Sequence, residues 1–185
     1  MSRIPSHTIE NAPEAARPLL EGIVEFSPTG ALLNLHAQLA HSPAVLAAYV
    51  SIRQATAAHG TLDGRIRSAL MLATAGVCGN AYTEAITSFL ALRAGWSEAQ
   101  VMLLRDGQSL GDEPTDALVR VVREAAARAG RVSDATWQQA AECWSSEHLA
   151  EAFAYLGLTV FTAYFCHYAQ TPADLPTPAF ATTAE

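Results

Sequence analysis

The chain has 185 residues, enough for one domain with a substantial core and short for two. Half of the residues are apolar and 16% are charged, a balance that excludes an intrinsically disordered body. The formal net charge is −7 and every basic residue is a scattered Arg, so no basic track exists for a phosphate backbone and nucleic acid is excluded as a natural partner.

The opening residues, MSRIPSHTIENAPEAARPLLEG, place no apolar stretch behind a basic one, and cytoplasm is the expected compartment. Residues 1–18 and 171–185 are rich in Pro, Ala and Thr without a burying period and are expected to be extended arms around a single domain over 19–170. Within that domain apolar residues recur at three and four and no stretch alternates for long, which predicts an all-α fold. Ser42-Pro43 should open a helix that runs to about His59 and stops at Gly60. A second helix is expected from Arg65 to about Ala75, then a break bracketed by Gly76 and Gly79, then a helix from Asn80 to Ala94 stopped by Gly95. Ser97 with Gln100 forms a capping-box pattern for a short helix ending near Asp106-Gly107. Further helices follow from Pro114 to Gly130, from Ser133 past Trp137, and from Ser145 or Ser146 to Ala169. Phe153 to Cys166 is the longest apolar run, too short to span a bilayer, and implies a helix buried in the core or between subunits, with no membrane partner. A charge at Phe161 is therefore expected to break a homo-oligomer.

The three cysteines, 78, 143 and 166, are odd in number and widely spaced, which fits a reduced compartment. Cys143 and Cys166 sit in apolar helical contexts and are expected to be buried. Glu-x-x-His, His-Glu-x-x-His and Cys-x-x-Cys are absent, as are phosphate loops, dinucleotide fingerprints and nucleophile elbows, so neither a metal nor a cofactor is expected.

Several landmarks come in a characteristic order: an Ala-His-Ser-Pro turn at 40–43, Thr-Leu-Asp-x-Arg at 61–65, a break and helix ending in Ala-Gly-Trp-Ser-Glu at 94–98, and Trp-Ser-x-Glu-x-Leu at 144–149. Over roughly residues 26 to 176 the chain resembles the carboxymuconolactone decarboxylase and alkylhydroperoxidase (AhpD-like) family. The resemblance implies an AhpD-like helical bundle that associates as a homo-oligomer, a trimer or hexamer. Redox-active members carry a Glu before the break, a Cys-x-x-Cys pair opening the next helix, and a His one turn further on. Carried over from the landmarks, those positions fall on Ser68, Asn80, Thr83 and Thr87, and all four are replaced; the family's tyrosine between the thiols is kept as Tyr82. The thiol site is therefore degenerate.

Three readings of function follow. In the first, Ser68, Asn80, Tyr82, Thr83 and Thr87 mark a neutral polar pocket for a small-molecule ligand in a non-redox binding protein or pseudoenzyme. In the second, Cys78, two residues ahead of the first thiol position, is a displaced reactive thiol near a helix N-terminus and the protein is a peroxidase or antioxidant oxidoreductase. In the third, Glu84 or His41 is the base of a decarboxylase or lyase acting on a small carboxylated lactone-type substrate.

Overall fold

The computed structural model describes residues 2–25, 27 and 29–176. Among these, one 3-10 turn, Glu14–Ala16, precedes nine α-helices and there is no strand. The helices are α1 Arg17–Glu25, α2 Asn34–Leu39, α3 Pro43–His59, α4 Gly64–Cys78, α5 Ala81–Arg93, α6 Glu98–Asp106, α7 Glu113–Ala127, α8 Asp134–Cys143 and α9 Ser146–Ala169.

Polar side chains written just ahead of the apolar periods start most of these helices. Ser42, Asp63, Asn80, Ser97, Ser133 and Ser145 each accept a hydrogen bond from a backbone N–H in the first turn, satisfying donors that have no partner inside the helix. Ser97 and Gln100 complete the reciprocal capping box. Gly79 and Gly107 end α4 and α6 with φ of 62° and 75°, backbone that a side chain would strain.

Helix α4 is the hub, packed against α5, α6, α7 and α9. It does not break at Gly76, as the two glycines suggest in the sequence, but continues to Cys78. Gly76 serves close approach instead: a Cβ there would lie 2.1 Å from the Arg105 carbonyl oxygen at the end of α6. Arg123 of α7 closes the same junction, its Nη1 donating to the carbonyls of Ala73 at 3.0 Å and Arg105 at 2.9 Å.

The apolar side chains gather in two clusters. One holds Leu70, Leu72, Val101, Leu104, Leu118 and Val122, where α4, α6 and α7 meet. The other holds Leu20, Leu39, Leu46, Tyr82, Leu158 and Cys166, drawn from α1, α2, α3, α5 and the later part of α9. Helix α9 contributes to both.

The terminal segments are bonded to the body. Buried Gln38 donates to Ser2 Oγ at 2.7 Å and to the Ile4 carbonyl at 2.9 Å, and accepts from Thr171 Oγ1 at 2.7 Å. Asp174 accepts from the backbone N–H and side-chain amide of Asn34, at the start of α2, and from the Tyr82 hydroxyl at 2.7 Å. The remainder of the C-terminal arm, 177–185, lies outside the described residues.

Candidate functional site

A cavity of about 560 Å³ opens beside the second cluster, within the ~300–1,000 Å³ of small-molecule sites. Five helices wall it and α4 adds Met71: Leu19, Gly22 and Ile23 come from α1, His36 from α2, Tyr49, Val50 and Arg53 from α3, Thr83, Ile86, Thr87 and Leu90 from α5, and Leu158, Thr159 and Thr162 from α9. Among the described residues no Asp or Glu is on its wall, and Arg53, on the exposed side of α3, is the single charged group there.

The four threonines add little polarity. Thr87, Thr159 and Thr162 donate their hydroxyl protons to carbonyls one turn back on their own helices, at 2.7, 2.8 and 2.8 Å, and Thr83 donates to Asn80 Oδ1 at 3.0 Å. Each hydroxyl has one proton to give, so these side chains offer the cavity methyl groups and acceptor lone pairs.

His36 is different. It is 4% exposed, and among the described residues neither ring nitrogen has a hydrogen-bond partner. Its ring centre lies 5.4 Å from that of Tyr49, whose hydroxyl accepts from Arg53 Nη1 at 3.3 Å. Burial pushes the imidazole down to about pKa 3 and the Arg53 charge adds to the shift, so His36 is neutral at pH 7 with one nitrogen able to donate and the other to accept. The Arg53 guanidinium has no carboxylate within ion-pair distance among the described residues.

Of the five pocket residues read from the sequence, Tyr82, Thr83 and Thr87 line the cavity; Ser68 and Asn80 do not. Ser68 donates to the Arg65 carbonyl at 2.8 Å and accepts from Trp96 Nε1 at 3.2 Å, fastening α4 to the loop after α5. Asn80 is the N-cap of α5, its Oδ1 held by the backbone N–H and the hydroxyl of Thr83. Tyr82 gives its proton to Asp174; burial and that bond push the phenol well above its ordinary range.

None of the three candidate catalytic groups lines the cavity. Cys78 is the last residue of α4, at the negative end of that helix rather than ahead of α5, and burial pushes its thiol up. Glu84 is partly buried near Arg105 and Asp106; burial raises its carboxyl while Arg105 opposes the shift. His41 is exposed, with Nε2 2.9 Å from the Pro5 carbonyl and its ring 4.0 Å from that of His7. Cys166 is buried, its thiol pushed up to about 12 by burial, whereas Cys143 is exposed at the end of α8, where the apolar neighbours in sequence had suggested burial. No group of three or more His, Cys, Asp or Glu suited to a metal ion is found among the described residues.

His36, Tyr49 and Arg53 were missed by reasoning from spacing, since none forms a motif. The legible signal was an imidazole inside the apolar run Leu32-Leu33-Asn34-Leu35-His36, and a Tyr and Arg one helical turn apart on α3.

No family model and no curated protein matches the sequence. Solved structures do match in three dimensions. The debrominase Bmp8 in complex with 2,3,4-tribromopyrrole superposes with a TM-score of 0.81 at 15% identity, covering 94% of this chain and 92% of that one. An AhpD-core, uncharacterized peroxidase-related protein from Ralstonia eutropha JMP134 gives 0.81 at 14% identity over the same shares. An uncharacterized peroxidase-related protein from Silicibacter sp. TM1040 gives 0.74 at 10%, over 92% and 91%. The chain therefore has the all-helical AhpD-like fold. Identity this low carries the path of the backbone, and the chemistry has to be argued from the site.

Proposed function

We propose that this protein is a non-redox small-molecule-binding protein, cytoplasmic and homo-oligomeric, that uses the AhpD-like frame without its thiol chemistry. The observation that carries the reading is a largely apolar cavity whose wall holds a buried, unpartnered imidazole and no cysteine. A buried polar group without a partner costs free energy, and a ligand that bonds it recovers the loss. The small polar residues that replace the thiol set are engaged in caps and back-bonds, which supports a structural use of those positions. A small apolar ligand also agrees with Bmp8, a protein of the same fold in complex with a brominated pyrrole.

Gly22 gives a clean test. It lines the cavity from α1, and a Cβ built there meets nothing within 4 Å, so a larger side chain has room to enter the space. Replacing a helical Gly also favours the helix by about 1 kcal/mol. Gly22→Leu is expected to be at least as stable as the parent in a thermal melt and to lose binding of the neutral fluorophore Nile red. Equal Nile red binding by parent and variant, or none by either, would count against the cavity as a ligand site.

A further inference from the structure

We infer that the cavity takes an apolar molecule with a single carboxylate head, the head held at the mouth by Arg53 and His36 and the apolar body lying along α5 and α9. The inference rests on the small-molecule reading and adds the class of ligand.

Three independent observations carry it. The first is charge: among the described residues the lining holds one guanidinium and no acid, and that guanidinium has no carboxylate partner. One fixed cation suits one negative charge, and Arg binds a carboxylate with planar, charge-assisted hydrogen bonds. The second is the unsatisfied imidazole of His36, nine-tenths and more buried on the same wall, whose ring N–H is available to a head-group oxygen. Tyr49 lies beside both groups: its ring neighbours His36, and its hydroxyl accepts from Arg53. The third is the body of the cavity. Its floor of Met71, Ile86, Leu90 and Leu158 is apolar, and the adjoining threonine hydroxyls have spent their protons on carbonyls or on Asn80, so a polyol or a sugar would leave many hydroxyls unpaired there.

The experiment compares decanoate with 1-decanol as displacers of Nile red from the full chain, in the parent, in Arg53→Gln and in Gly22→Leu. Arg53 is exposed on α3, so its replacement should not unfold the protein. Decanoate is expected to bind about tenfold more tightly than decanol to the parent. Arg53→Gln should bring the two within about twofold by weakening only the acid, and Gly22→Leu should bind neither. Equal affinity of the parent for acid and alcohol would overturn the carboxylate inference while leaving the binding reading standing. A preference for the acid that survives Arg53→Gln would overturn the assignment to Arg53. Failure of Nile red and both displacers to bind the parent would remove the binding reading and the inference together.

Discussion

His36 makes the stability of the fold depend on pH in a window where few other groups act. Its folded pKa is about 3 against an ordinary 6.5, so between those values the unfolded chain takes up a proton that the folded chain refuses. Stability from this residue is fully present above about pH 6.5 and is lost as pH falls toward 3, by about 1.4 kcal/mol per unit within the window. Glu124 and Glu151, held below the ordinary carboxyl value by hydrogen bonds, change stability with the same sign, but only as pH falls through and below about 4.5. Urea titrations of the parent and His36→Gln at pH 7 and pH 5 should isolate the imidazole, because the raised Glu84 carboxyl contributes equally to both proteins. The parent is expected to lose on the order of 2 kcal/mol more than His36→Gln between the two; parallel losses would show that His36 charges freely in the folded state.

At the scale of elements, the junction of α4 with α6 is set by a missing side chain. The Gly76 Cα faces the final carbonyls of α6, and Arg123 bonds to carbonyls of both helices there. Gly76→Ala should cost about 3 kcal/mol, seen as a lower melting temperature, because backbone on both sides has to move. A fall smaller than about 1 kcal/mol would mean that the junction is loosely packed. The same residue shows where the sequence was legible. Caps are local chemistry, and Ser42, Ser97, Ser133 and Ser145 marked their helices correctly, as did the glycine that stops α5. Gly76 was read as punctuation because a break and a close approach call for the same residue, and only the partner helix tells them apart. The move of Cys78 from a break ahead of α5 to the end of α4 follows from that single ambiguity. The cavity was half visible. Thr83 and Thr87 follow from the helical period of α5, which placed Tyr82 on the other side although it lines the cavity, whereas His36 and Arg53 reach the cavity through the packing of α2 and α3, which no local pattern encodes.

Over the whole molecule, α3 and α9 leave apolar surface uncovered. Phe153, Tyr164 and Tyr168 on α9 are each more than 60% exposed, and Val45 and Ile52 add an exposed face on α3, which packs beside α9. By length and composition α9 could cross a bilayer, since the helix extends well beyond the apolar run seen in the sequence, yet half of its most apolar window is buried inside the fold. Self-association is the arrangement we propose for the uncovered half. Tyr164 is a better probe than Phe161, whose ring lies 6.0 Å from that of Tyr49 near the cavity. Tyr164→Glu should shift the protein to a later elution volume in sizing chromatography, or precipitate it; an unchanged volume would argue that this face is not an interface.

The hydrogen bonds of Asn80, Thr83, Thr87 and Ser68 also constrain how such a protein could change over time. A cysteine at position 80 is a weak acceptor and would leave the first turn of α5 uncapped, at about 1 kcal/mol; at position 83 it would weaken a donor to the cap, and a Glu at position 68 would remove the hydroxyl that seats the Trp96 indole. No one of these changes supplies a working thiol pair, so each first step toward dithiol chemistry would lower stability before it brought any activity. The present arrangement therefore favours one direction of change: single substitutions can reshape the neighbouring cavity far more readily than they can build a redox centre.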